Sequence, residues 1–143
     1  MPRDGSASDD PFVQRAAGLI AARSFAVDAL IAAAADQSDR ANSAIRAGAP
    51  EADRLLTPSA IATAKAQSVI AELVPAAASG IFDTGGGSAT LRSLNFDSHW
   101  RNIRTILSHN PTDHKLRVVG AHELTGERPP LGGGFFQLLS PGI

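Results

Sequence analysis

FDSHWRNIRTIL, residues 96–107, places Phe96, Trp100, Ile103 and Leu107 at i, i+4, i+7 and i+11. A turn of 3.6 residues gathers those four on one stripe, flanked by Arg101 and Arg104, and no alternation of period two competes with it. The stripe predicts an amphipathic helix within residues 88–108, broken near Asn95. Downstream, Asn110-Pro111 resets the chain as cap and first residue of another helix, which contains Leu116, Val119 and Leu124 and ends at Thr125-Gly126. Upstream, Gly85-Gly86-Gly87 forms a joint after the apolar pair Ile81-Phe82. Before the joint, Thr57-Pro58 opens a helix through Ile61, Lys65, Val69 and Leu73 that Pro75 is expected to kink or end. Residues 38–53, polar and containing Gly48 and Pro50, are expected to connect it to a first helix that runs from Asp10-Pro11 to about Gln37. Residues 1–9 read as a disordered tail, and residues 127–143, with Pro129-Pro130 and Phe135-Phe136, as a non-helical C-terminal tail. The expected fold is all-α, an up-down bundle of four helices over residues 10–126.

Composition narrows the function classes. Hydrophobic residues make up 43% of the 143 and charged residues 19%, the balance of a soluble globular domain. Alanine dominates the apolar fraction and aromatics are only 5%, which favours helices packed closely. The net charge of −1 offers no basic surface for nucleic acid. Seven basic and ten acidic side chains lie in residues 1–87, against six and four in residues 88–143, so an anionic ligand is better sought in the second part. No cysteine is present, which removes disulfides and thiolate-bound metals and suits a cytoplasmic setting. The first ten residues lack the apolar core of a signal peptide, and the longest uninterrupted apolar stretch, residues 29–35, is far short of a membrane span, so no membrane partner is expected.

The histidines are His99, His109, His114 and His122, and none pairs with another at the spacing of a helical metal site, so no metal is expected. His109 stands at the end of its helix, one residue before Asn110-Pro111, where an imidazole can exchange a proton near neutral pH. On spacing alone an ordinary solvated helix-end histidine is the simpler reading. Gly85, Gly86, Gly87 and Ser88 open a helix and can hold a phosphate or carbonyl oxygen on free N–H groups, though such a run is more often a mere turn. Arg92, Arg101 and Arg104 can clamp an anion or serve as partners for Asp97.

Residues 82–135 also resemble a known family. The glycine turn at residues 85–87, the phrase DSHWRNIRT at residues 97–105, His109-Asn110-Pro111 with Lys115 beyond it, and Gly120, Leu124-Thr125-Gly126 and Pro129-Pro130 recur in that order in the dibenzothiophene monooxygenase group of the acyl-CoA dehydrogenase superfamily. Residues 10–81 fit the preceding helices by composition and length alone. The resemblance implies the C-terminal bundle of an acyl-CoA dehydrogenase-type flavoprotein, assembled as a homotetramer. It implies oxygenation of a small organic substrate, sulfur compounds among them, with O2 and reduced FMN (FAD as the alternative) delivered by a separate flavin reductase. It carries over His109 as the catalytic residue beside the flavin, and Gly85, Gly86, Gly87, Ser88 and Asn110 as cofactor neighbours. Some members hold Asp where Asn110 stands and a further His near Ile106, which leaves the substrate and the proton path open.

Three readings follow. The first is that monooxygenase bundle, expected to be a fragment lacking the domains that hold most of the flavin, and inactive by itself. The second is an acyl-CoA dehydrogenase acting on an acyl thioester, for which a carboxylate base is needed where His109-Asn110-Pro111 stands; the nearest acid is Asp113. The third is a non-catalytic helical oligomerisation module.

Overall fold

The computed structural model describes residues 6–109 and 111–130. Four α-helices and three short 3-10 helices make up these residues, with no strand among them: α1 (Pro11–Arg46), α2 (Ala52–Gly85), α3 (Asp97–His109) and α4 (Thr112–Thr125). The all-α expectation holds. A 3-10 turn at Ala7–Asp9, capped by the Ser6 side chain, lies in the stretch expected to be a disordered tail.

α1 starts as its sequence dictates. Asp10 Oδ1 accepts from the Phe12 N–H at 2.8 Å and the Val13 N–H at 3.4 Å, and Pro11 occupies the first helical position, where a missing N–H costs nothing. The helix runs past Gln37 to Arg46, nine residues beyond the expected end. Alanine explains the difference: Ala41 and Ala44, three residues apart, are 3% and 8% exposed, so the buried stripe continues on methyl groups alone. Two of the polar residues that suggested a loop find partners in the helical form: Arg40 pairs with Asp36 one turn earlier at 3.2 Å, and Ser38 meets Ser59 of α2. α1 then stops at Gly48, whose φ of 61° permits a double hydrogen-bond closure, Ala49 N–H to Ala44 O at 2.9 Å and Gly48 N–H to Ile45 O at 3.1 Å.

α2 also departs from expectation. It begins at Ala52 and not at Thr57, and it carries Pro58 and Pro75 in its interior without ending before Gly85. Each interior proline forfeits a helical hydrogen bond, worth about 3 kcal/mol with the ring clash. Packing offsets that cost: Ile61, Ala64, Ala66 and Ser68 are buried between Pro58 and Pro75, and Ala78 after Pro75.

The chain divides into two compact units, residues 1–29 with 69–111 and residues 30–68 with 112–143. Within the first, Arg23 Nη1 donates to Ala76 O at 3.3 Å, joining α1 to α2, and Gly80 lets Ile20 approach to 3.4 Å of where a Cβ would stand. Within the second, the hydroxyls of Ser38 and Ser59 lie 3.2 Å apart, and Lys65 Nζ donates to Glu123 Oε1 at 2.6 Å, tying α2 to α4. That hydrogen bond and the Lys65 charge hold the Glu123 carboxyl below its usual range. Both side chains are about half exposed, so the pair is screened by water and contributes little.

The core is built from small side chains. Among the described residues, seven alanines, Ile61, Val118 and Pro129 are the buried apolar residues, and no large side chain is fully buried. Many large apolar residues stay outside, Phe12 and Phe25 both 77% exposed on α1. α1 is long and apolar enough to cross a membrane by length and composition, although Arg23 and Asp28 interrupt its apolar runs. Counting uninterrupted apolar residues had missed this, because alanines on every side sustain the average across the two charges.

Candidate functional site

Of the residues singled out by the sequence, Gly85 ends α2, Gly86, Gly87 and Ser88 lie in the 3-10 turn that follows it, and His109 ends α3, all within the first unit. Gly85 is the last residue of α2. Gly86 takes φ 57°, the left-handed region that a side chain resists, and the chain passes into a five-residue 3-10 helix, Gly86–Thr90. The triple glycine is therefore a joint, and it opens a 3-10 turn rather than α3. Thr90 Oγ1 donates to Gly87 O at 2.7 Å and Leu91 N–H to Ser88 O at 3.1 Å, which fixes the turn from its far side.

A side chain at each glycine meets a different obstacle. A Cβ on Gly85 would stand 2.8 Å from the Ala89 Cβ, so Gly85 is needed for packing. Around Gly86 and Gly87 the space is open to at least 4 Å, so their backbone is bare and approachable. Gly86→Ala should lower unfolding free energy by about 1–2 kcal/mol through backbone strain alone, measurable by urea denaturation. An unchanged midpoint would mean that the turn relaxes out of the left-handed conformation at no cost.

A second 3-10 helix, Arg92–Leu94, ends at Asn95 with φ 50°, the break expected near that residue. Asparagine tolerates this conformation better than most residues. Its side chain is part of the start of α3: Arg101 Nη2 donates to Asn95 Oδ1 at 3.1 Å while Nη1 pairs with Asp97 one turn earlier. Of the two roles open to Arg101, partner for Asp97 is the one realised. Arg92 and Arg104 make no ion pair among the described residues.

α3 ends at His109, which is exposed. No hydrogen bond among the described residues ties His109 to the glycine turn, and Asn110 lies outside them. No residue of α3 is buried; Phe96, Ile103 and Leu107 are half-buried, and Trp100 and Ile106 are 43% and 69% exposed. The helix with the clearest apolar stripe thus lies on the surface of this chain. No group of three or more metal-binding side chains occurs among the described residues.

Lys115 was noted only as part of a motif, yet it is 6% exposed on α4. Burial holds its ammonium below the usual lysine range. A charged residue following His114 in a polar stretch gives no local signal of burial; only the packing of the second unit places it inside.

Comparison with known proteins adds to this geometry. Residues 3–114 match the family described as acyl-CoA dehydrogenase, C-terminal domain. A probable FMNH2-dependent monooxygenase of Pseudomonas putida, SfnC, is 43% identical over 49 residues, 34% of this chain and 12% of its own length. A dibenzothiophene monooxygenase of Rhodococcus erythropolis is 41% identical over 51 residues, 36% of this chain and 12% of its own, and one of Rhodococcus qingshengii matches to the same extent. The aligned segment spans only about one-eighth of those relatives' length.

Proposed function

The chain belongs to the acyl-CoA dehydrogenase C-terminal domain family, and on that premise we propose that it is the bundle portion of a flavin-dependent monooxygenase that oxygenates a small organic substrate with reduced FMN and O2. The observation that carries the proposal is identity above 40% with two differently named flavin or dibenzothiophene monooxygenases over about fifty residues. The bare backbone at Gly86 and Gly87 fits the close approach of a flat cofactor edge, which a Cβ at either position would obstruct. Bound reduced flavin would supply the two electrons that activate O2. Gly85, through its contact with Ala89, would shape the turn, and Ser88 would hold it through the Leu91 N–H. His109, exposed at the end of α3, would hold or deliver a proton at an imidazole nitrogen. Asn110 would stand beside it as a cofactor neighbour. A separate reductase would supply the reduced flavin.

Assembly is part of the proposal. The half-covered stripe of α3 and the exposed faces of α1 suit burial against further copies of the chain, as in a homotetramer. Light scattering on the 143-residue chain should give a mass of at least two copies at micromolar concentration. A stable monomer at high concentration would remove the assembly part of the reading.

The functional test is transfer. The 51-residue match in the Rhodococcus erythropolis dibenzothiophene monooxygenase is replaced by the corresponding segment of this chain. The chimera should oxygenate dibenzothiophene. A chimera that assembles and binds flavin but only dehydrogenates acyl thioesters would favour a dehydrogenase. One with neither activity would favour a helical module without a catalytic part.

A further inference from the structure

We propose that the cavity between α4 and the segment that follows it binds a small oxyanion, a carboxylate or phosphate, carried on an apolar body. The cavity measures about 190 Å3 and is lined by Arg117, Val118, Glu127, Arg128, Pro129 and Pro130. All six belong to the second unit, whereas the glycine turn and His109 belong to the first, so this site is argued independently of the oxygenase reading.

The wall of the cavity is a pinned chain reversal. Gly126 takes φ 72° and its N–H donates to His122 O at 2.9 Å. Thr125 Oγ1 donates to Ala121 O at 2.7 Å and accepts from the Glu127 N–H at 3.3 Å. His122 Nδ1 lies 3.0 Å from Glu127 O. These contacts set the residues after Gly126 beside α4, so that Arg128 lines the same cavity as Arg117.

The lining combines two chemistries. Val118 is 6% exposed and Pro129 is buried, which gives an apolar side. Neither Arg117 nor Arg128 makes an ion pair or hydrogen bond among the described residues. Each guanidinium is a planar fork of donors that matches a carboxylate or phosphate, and two of them outweigh the single carboxylate of Glu127. A cation would meet the reverse balance. The volume equals that of about six waters, room for an oxyanion on one small ring. The excess of basic over acidic residues in residues 88–143 finds a place here.

Arginine modification by phenylglyoxal, read by peptide mass spectrometry on the full chain, tests the site in any state of assembly. Benzoate or phenyl phosphate should protect Arg117 and Arg128 while Arg92 and Arg104 keep reacting; which of the two protects at lower concentration identifies the preferred head group. Calorimetry should show Arg117→Gln and Arg128→Gln each weakening that ligand about tenfold or more, with helical circular dichroism unchanged because both side chains are exposed. Inorganic phosphate, lacking the apolar body, should bind more weakly than phenyl phosphate. Equal protection of all arginines, no protection, or benzamide binding as tightly as benzoate would overturn the proposal.

Discussion

Replacing His109 by alanine in the dibenzothiophene monooxygenase chimera should cut single-turnover oxygenation by about 10²–10⁴-fold, the range of a general acid–base group. The loss should appear with pre-reduced FMN at saturation, so that it reflects proton handling and not cofactor affinity. Assembly should persist, because His109 is exposed at the end of α3 and supports no core packing. His99 and His122 are the controls. His99 is exposed in the first turn of α3, and His122 is engaged with Glu127 O on α4, so alanine at either should change the rate only slightly. A His109→Ala chimera as fast as its parent would make His109 an ordinary helix-end residue.

Overpacking the alanine core should produce the largest stability loss. Ala41 and Ala64, 3% and 4% exposed, leave no room for three further carbons, and Ala41→Leu or Ala64→Leu should each destabilise by about 1–3 kcal/mol. Leu124, 87% exposed on α4, is the contrast: Leu124→Ala should stay within about 0.5 kcal/mol in denaturant unfolding. Leucine tolerated at both alanines would mean that the helices stand further apart than this core requires.

The positions where the backbone changes direction were legible because one or two residues decide them. Asp10-Pro11 caps α1, Gly48 closes it, Asn95 breaks the chain before α3, and Gly126 ends α4. Helix lengths were not legible, because they depend on packing partners that a local pattern does not contain. Ala41 and Ala44 extend α1 through a polar stretch, and burial on both sides of Pro75 carries α2 through a residue that usually ends a helix. The family match reaches back to residue 3, well before the run whose motifs suggested it, since alanine-rich helices carry few distinctive residues.

The candidate site divides in the same way. Sequence placed His109 at a helix end and the three glycines at a joint, since both follow from local backbone chemistry. It read the glycines as opening α3, whereas two 3-10 turns and Asn95 intervene. The pairing of Arg101 with Asp97 and Asn95 and the burial of Lys115 depend on surroundings that spacing alone does not reveal.

Oxygen isotope transfer tests the central claim most directly. The chimera carrying this chain's segment is mixed with pre-reduced FMN, dibenzothiophene and 18O2, and the product is analysed by mass spectrometry. One 18O atom is expected in the first oxygenated product, and none when reduced flavin is omitted. An assembled, flavin-binding chimera that yields no 18O-labelled product would contradict that claim.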